Sequence, residues 1–199
     1  MWLCKKRLDP AALPVFMHPV EFSQVCAIVE ALQPAHVLEW GSGGSTKALL
    51  ARSPFTERFV SVEHDPIWYT LVKRQVHDPR LSLHHVAPDL PPYSYDVPMS
   101  QLGAWIARCE TDAAVMASYV AFPGSLGQHF DFVLVDGRAR TFCLKAGWKL
   151  LRPGGVMVLH DAQRVEYRST LLSFPRAAML EPFHQGQIAV IRKATIGAA

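Results

Sequence analysis

Buried strands are predicted wherever a short run of apolar residues ends in an acidic or polar residue. The clearest case is 130–135, a continuous Val-rich run that Asp136 follows. Apolar residues spaced three or four positions apart, as at Val25, Val29 and Leu32, predict amphipathic helices between such runs. The pattern predicts strands at 35–40, 59–63, 81–86, 130–135 and 156–161. It predicts helices at 20–32, 45–52, 66–77, 100–120 with a break near 110–111, 141–151 and 163–173.

The order of these elements predicts the fold class. Strands that alternate with helices are typical of an α/β domain with a mostly parallel sheet. Two further apolar segments, 177–183 and 186–192, predict a hairpin of strands six and seven around residues 184–186. We therefore expect a Rossmann-like, seven-stranded sheet with an antiparallel last strand and helices on both faces.

Length and composition predict a single domain with a sizeable core, because the chain has 199 residues and half of them are hydrophobic. Residues 1–17, punctuated by prolines, are predicted to form an N-terminal arm, whose apolar residues would suit a homodimer contact. Residues 90–127 begin irregularly and then become helical, which predicts an insertion that shapes the substrate pocket. Its Tyr93, Tyr95 and Trp105 would either line that pocket or pack a peripheral helix.

Charge and cysteine usage limit the partners. The formal net charge is only +3, and charged residues are spread along the chain, so nucleic acid is not an expected partner. No apolar run reaches the roughly 18 residues of a membrane span, so no membrane contact is expected. The four cysteines form no CxxC pair, which predicts reduced thiols and a cytoplasmic location.

The most informative stretch is a glycine-rich turn, Gly41-Ser42-Gly43-Gly44, between the first strand and the next helix. Glycines allow close approach of the backbone to a ligand, and the helix N-terminus offers free amide donors. The dinucleotide fingerprint requires a glycine at the position that Thr46 occupies, so this pattern is incomplete. An anionic or hydroxyl-rich ligand is predicted at this turn.

A second carboxylate supports a nucleoside ligand. Glu63 ends the second predicted strand, 22 positions after Gly41 (63 − 41). This is close to the offset of roughly 20 residues at which an acid reaches ribose hydroxyls in such folds.

These stretches, together with Asp136 and the segment Leu151-Arg152-Pro153-Gly154-Gly155, resemble the motifs of the class I S-adenosylmethionine-dependent methyltransferases. The resemblance covers about residues 19–193. It implies S-adenosylmethionine as cofactor, with its methionine end at the glycine turn, its ribose at Glu63 and its adenosine beside His64. The implied cofactor-binding residues are Glu39, Trp40, Gly41, Ser42, Gly43, Ser45, Thr46, Glu63, His64 and Asp136.

Catalytic residues are expected at the carboxyl ends of the parallel strands. Asp136, His160 and Asp161 are the candidates there, with His160 suited to act as a general base near pH 7. Arg138 and Arg140 could clamp an anionic substrate or could lie on the surface. In methyltransferases of the catechol and macrolide-sugar type, carboxylates at the Asp136 and Asp161 positions bind a divalent metal.

The metal is possible but not expected here, because Ala162 replaces the amide residue that follows the second acid in the catechol type. The predicted function is methyl transfer from S-adenosylmethionine to a small or sugar-like acceptor, on oxygen. An NAD-dependent oxidoreductase and a non-catalytic S-adenosylmethionine-binding module are the alternatives.

Overall fold

The computed structural model describes residues 13–91, 97–181 and 186–195. The strands are β1 (His36–Trp40), β2 (Arg58–Glu63), β3 (Leu81–His85), β4 (Phe130–Val135), β5 (Leu151–Leu159), β6 (Ala177–Met179) and β7 (Ala189–Arg192). The helices are α1 (Pro19–Leu32), α2 (Gly44–Arg52), α3 (Pro66–Gln75), α4 (Met99–Thr111), α5 (Ala117–Ser125), α6 (Arg140–Leu150) and α7 (Val165–Leu172).

All seven strands belong to one sheet with the order β3-β2-β1-β4-β5-β7-β6. Strands β1 to β5 pair in parallel, whereas β7 runs antiparallel to both β5 and β6. The predicted fold class is therefore confirmed. Strand order reverses between β1 and β4, and in open α/β sheets the carboxyl ends of strands at such a reversal form the ligand crevice.

The two faces of the sheet bury separate apolar cores. One face, including Trp40 and Val135, packs against helices α4 to α7. The other face, including Phe59 and Phe132, packs against α1 and α2. Because β4 is covered on both sides, its sequence is apolar at every position except Asp131, as expected for a central parallel strand.

The helical region between β3 and β4 differs from the prediction in its bounds. The break falls after Thr111, and α5 continues to Ser125. Asp112 begins the break with a turn in which its carboxylate accepts the Ala114 N–H at 3.1 Å. Asp89, just after β3, accepts the Ser118 N–H at 2.8 Å and so fixes where α5 begins. This second contact joins residues far apart in the sequence, so local periodicity could not predict it.

Three other features bear on the predictions. Strand β6 spans only three residues, and residues 182–185 of the predicted hairpin lie outside the described residues, as do Tyr93 and Tyr95. Of the predicted arm, residues 13–17 are described, and Pro14 passes directly over the first turn of α2: a Cβ on Gly44 would lie 2.4 Å from the Pro14 carbonyl carbon. Within the described ranges, none of the helices has the length and apolar character needed to cross a membrane.

Candidate active site

The glycine turn is held between the ends of three strands. The Gly41 N–H donates to the Val62 carbonyl of β2 at 2.9 Å, and the Asp136 N–H donates to the Trp40 carbonyl at 2.9 Å. Gly41 has a φ of +97°, and a Cβ on it would lie 2.6 Å from the Gly137 nitrogen. Both the backbone conformation and the close approach of β4 therefore require glycine at position 41.

Gly41→Ala is expected to lower the free energy of unfolding by about 2–4 kcal/mol, because it combines a positive φ with a clash against backbone. Gly43→Ala is the matched control: Gly43 has an extended φ of 178° and no atom within 4 Å of its Cβ position. The control should change stability by less than about 1 kcal/mol. Urea denaturation of both variants measures the difference, and equal losses would contradict this account of the turn.

Glu39 supports the turn from inside the protein. Its fully buried carboxylate accepts hydrogen bonds from the hydroxyls of Ser45 at 2.6 Å, Thr46 at 2.5 Å and Ser61 at 2.6 Å. The Thr46 hydroxyl oxygen in turn accepts the Gly43 N–H at 2.9 Å. Burial raises the pKa of Glu39 to about 7, although the three hydroxyl hydrogen bonds act in the opposite direction. Glu39 thus joins the first turn of α2 to β2, and it reaches the glycine turn through the Thr46 hydroxyl.

The raised pKa of Glu39 predicts a pH-dependent stability. Between about pH 4.5 and pH 7 the unfolded state loses this proton while the folded state keeps it. The free energy of unfolding should therefore fall as pH rises through this window, by roughly 1.4 kcal/mol per pH unit at most. Urea denaturation across the window checks this when the wild type is compared with Glu39→Gln, which cannot ionise. Parallel pH profiles for the two proteins would contradict the prediction.

Glu63 closes the turn from the side of β2. Its Oε2 accepts the Ser42 N–H at 2.8 Å, and its Oε1 accepts the N–H groups of His64 and Asp65, both at 2.8 Å. Asp65 then caps α3 by accepting the Ile67 N–H at 2.7 Å. The two predicted cofactor acids thus lie on either side of the same turn, Glu39 beneath it and Glu63 beside it.

The ring of His64 lies next to this carboxylate in an aromatic setting. Its centroid is 5.7 Å from that of Tyr119 on α5 and 6.3 Å from that of Trp105 on α4. His64 Nδ1 is 2.9 Å from Glu63 Oε1 but is not aligned for a hydrogen bond, and both ring nitrogens are buried without a hydrogen-bond partner among the described residues. Trp105 is almost fully buried and donates its indole N–H to the Leu90 carbonyl at 3.2 Å.

Asp136 and Asp161 are joined by one guanidinium. Arg140 approaches the Asp136 carboxylate at 3.1 Å and the Asp161 carboxylate at 3.4 Å. The same side chain donates to the backbone carbonyls of Asp136 at 2.9 Å, Gly137 at 3.0 Å and His160 at 2.5 Å. Arg140 is therefore committed to internal partners, which is a structural role and not the anion clamp considered from the sequence.

His160 lies between two carboxylates. Its Nδ1 is 2.7 Å from Asp136 Oδ1, and its Nε2 is 2.9 Å from Glu21 Oε2. Burial lowers the pKa of His160, but the charge and hydrogen bond of Asp136 outweigh it and hold the pKa above its ordinary value. A protonated ring can donate to both carboxylates, which fits this position.

Asp161 lies in the turn that follows β5. Because β5 ends at Leu159, His160 and Asp161 are in the following turn, where Asp161 has a φ of +59°. Burial alone would raise the pKa of Asp161, but Arg140, His160 and Arg164 lower it below its ordinary value. The Arg164 guanidinium lies 2.5 Å from the Asp161 carboxylate.

Glu21 is the site residue that the sequence analysis missed. It comes from α1, is almost fully buried, and accepts the Gly186 N–H at 2.8 Å with its second oxygen. The signal was present, because Glu21 falls on the same helical face as Val25 and Val29, four and eight positions later. An acid on a buried helical stripe indicates a specific buried partner, because an unpaired buried charge is costly.

The opposite edge of the sheet also has a cavity. This cavity of about 750 Å³ lies at the amino ends of the strands, opposite the glycine turn, and includes Arg152 and His36. Arg152 is already paired with Asp131 at 2.9 Å, and no predicted site residue reaches this edge. No group of three or more His, Cys, Asp or Glu residues within 13–91, 97–181 and 186–195 is arranged to hold a metal ion.

Comparison with known proteins supports the fold. No protein-family model matches the sequence, and no curated protein matches it. A methyltransferase-like protein from Silicibacter pomeroyi is similar over 94% of this chain and 92% of its own, with 22% identity and a TM-score of 0.63. Cofactor-bound Rv0187 from MTB is similar over 94% of this chain and 86% of its own, with 20% identity and a TM-score of 0.64.

An O-methyltransferase from Bacillus cereus, solved in complex with S-adenosylhomocysteine, is similar over 91% of this chain and 84% of its own. Its identity is 18% and its TM-score 0.57. At these identities the likeness concerns the arrangement of the chain in space. The chain has the Rossmann-like fold of class I methyltransferases.

Proposed function

We propose that this protein transfers a methyl group from S-adenosylmethionine to a hydroxyl of a small or sugar-like acceptor. The observation that carries the proposal is the convergence of the glycine turn, Glu63 and Asp136 at the reversal of strand order between β1 and β4. Ligands in open α/β sheets bind at this point. The methyltransferase fold of the similar structures supports the same reading.

The residues around the crevice fit this cofactor. Glu63 Oε2 accepts one backbone N–H and has a second lone pair suited to accept a ribose hydroxyl. Beside it are buried polar atoms of His64 and Tyr119 that have no hydrogen-bond partner among the described residues. We assign the backbone of the glycine turn to the amino-acid end, through Trp40, Gly41, Ser42 and Gly43. Glu39, Ser45 and Thr46 act as supports that fix the conformation of this turn, because their polar groups bond to one another.

Bound S-adenosylmethionine supplies an activated sulfonium methyl, so the protein's main task is to position the attacking oxygen. Asp136 Oδ1 is held by His160 and Arg140, whereas Oδ2 has no hydrogen-bond partner in the described part of the chain. We assign Asp136 Oδ2 to the acceptor hydroxyl, whose proton it would receive. His160 is assigned as the residue that positions Asp136, because both of its ring nitrogens face carboxylates.

Asp161 contributes through Arg140. The guanidinium bridges the Asp136 and Asp161 carboxylates, and Arg164 adds a second cation at Asp161, so two cations face two carboxylates and the proposal includes no metal at this pair. Asp161, which Arg164 also contacts, keeps Arg140 in place. In this arrangement Asp136 is the catalytic residue, and His160, Asp161 and Arg140 are positioning residues.

Neither alternative is favoured by a specific contact. A dinucleotide site needs a third glycine for close packing, and here the Thr46 hydroxyl is instead used to bond Glu39. A non-catalytic module would not need Asp136 Oδ2 to lack a hydrogen-bond partner, as it does among the described residues. The proposal is tested by incubating the protein with S-adenosylmethionine and a panel of catechols, sugars and nucleosides. Release of S-adenosylhomocysteine with one of them supports it, and binding without release under all conditions favours the module.

A further inference from the structure

Tyr119 on α5 carries a buried hydroxyl with no hydrogen-bond partner among the described residues. The side chain is fully buried, and the residue is tied to the end of β1 because its carbonyl accepts the Trp40 indole N–H at 3.2 Å. A Cβ on Gly137 would lie 2.1 Å from the Tyr119 hydroxyl and 3.1 Å from the Gly41 nitrogen. The hydroxyl therefore lies where the ends of β1 and β4 meet.

The neighbouring ring of His64 also has a buried polar atom without a hydrogen-bond partner among the described residues. His64 packs edge-on against Tyr119. Its Nδ1 contacts the Glu63 carboxylate at 2.9 Å, whereas its Nε2 is buried without a hydrogen-bond partner in the described ranges. Buried polar atoms are nearly always bonded to protein, water or a ligand, since an unmade bond carries a free-energy cost. Two adjacent side chains with unpartnered polar atoms, next to the Glu63 carboxylate, point to one polar ligand that completes both.

We infer that Tyr119 is a cofactor-recognition residue whose hydroxyl donates a hydrogen bond to the adenosine part of bound S-adenosylmethionine. The inference rests on the proposed function and extends it to α5, which contributes no residue to the predicted site. Adenosine is the part assigned because the Tyr119 ring packs against the ring of His64, the residue that the proposed function places beside the adenosine. Burial raises the pKa of Tyr119 well above its ordinary range, so the hydroxyl keeps the proton that it would donate.

The inference predicts that Tyr119→Phe weakens cofactor binding without lowering the stability of the protein. Removing a buried hydroxyl that has no partner should leave the stability of the ligand-free protein unchanged or higher. Removing a donor to the cofactor should weaken S-adenosylhomocysteine binding by roughly tenfold. If Tyr119 had only a structural role, the substitution would lower stability and leave binding unchanged.

The experiment combines calorimetric titration with urea denaturation of the ligand-free proteins. The control is Tyr69→Phe, since Tyr69 is half-buried on α3 and contacts His85 with ring centroids 5.3 Å apart. The control should match the wild type in both measurements. Methylthioadenosine, which lacks the amino-acid end, serves as a second probe and should lose the same factor with Tyr119→Phe.

The outcomes separate this inference from the proposed function. If the wild type binds neither probe, the proposed function fails. If the wild type binds and Tyr119→Phe binds equally well, the recognition role of Tyr119 is wrong while the proposed function stands. A loss seen with S-adenosylhomocysteine but not with methylthioadenosine would overturn the assignment of Tyr119 to adenosine.

Discussion

Replacing Arg140 with alanine is expected to lower the free energy of unfolding by about 3–5 kcal/mol, the largest loss that we predict for a single side chain. The substitution leaves the carboxylates of Asp136 and Asp161 without their shared cation and three backbone carbonyls without their donor. Each buried group left unsatisfied adds its own desolvation cost. Urea denaturation followed by circular dichroism measures the loss, and the variant may be compared at reduced temperature if it is only partly folded.

Arg138→Ala is the matched control for Arg140→Ala. Arg138 is two positions earlier and half-buried, and no hydrogen bond from its guanidinium is found within the described chain. Its loss should cost less than about 1 kcal/mol. If the two variants lose similar stability, the view of Arg140 as the cation that organises the carboxyl ends of β4 and β5 is wrong.

Asp136→Asn is expected to reduce turnover by about 10²- to 10⁴-fold, the range for removal of a group that accepts a proton in the transition state. The amide can still bond Arg140, so the local structure should persist, but it cannot receive the proton of the acceptor hydroxyl. We expect S-adenosylhomocysteine affinity to change by less than about tenfold. The rate is measured with an acceptor from the panel above, under saturating S-adenosylmethionine.

Asp131→Asn provides the comparison on the same strand. Asp131 is near the amino end of β4, where it bonds the His36 N–H at 2.8 Å and pairs with Arg152. The Asp131→Asn substitution removes a carboxylate from the opposite edge of the sheet and should leave turnover within a few fold of the wild type. If Asp136→Asn turns over as fast as the wild type, Asp136 is not the catalytic residue.

The parts of the site that the sequence predicts are those with short-range causes. Glycine at position 41 follows from a turn that closes within a few residues, and Glu63 follows from the offset of an acid at the next strand end. The order of strands and helices likewise fixes which strand ends meet, so Asp136 could be placed at the same edge. Each of these predictions depends on local backbone geometry and on the topology of parallel sheets.

The contacts that the sequence does not predict join distant segments. Glu21 and His160 are 139 positions apart, and only the packing of α1 against the sheet brings them together. The choice of His160 as a general base was natural for its residue type, but a second carboxylate at Nε2 changes the role that the geometry favours. The Tyr119 hydroxyl, which has no hydrogen-bond partner in the described part of the chain, likewise depends on how α5 lies over β1 and β4, which apolar periodicity does not determine.

The measurement that tests the central claim most directly is calorimetric titration of the wild type and Glu63→Ala with S-adenosylhomocysteine and with NAD. We predict micromolar binding of S-adenosylhomocysteine by the wild type and an affinity about 100-fold lower for Glu63→Ala, since the substitution removes the carboxylate that accepts a ribose hydroxyl and the Ser42 N–H of the glycine turn. Glu57→Ala, an exposed acid just before β2, should bind as the wild type does. Failure of the wild type to bind S-adenosylhomocysteine, or binding of NAD in its place, would contradict the account.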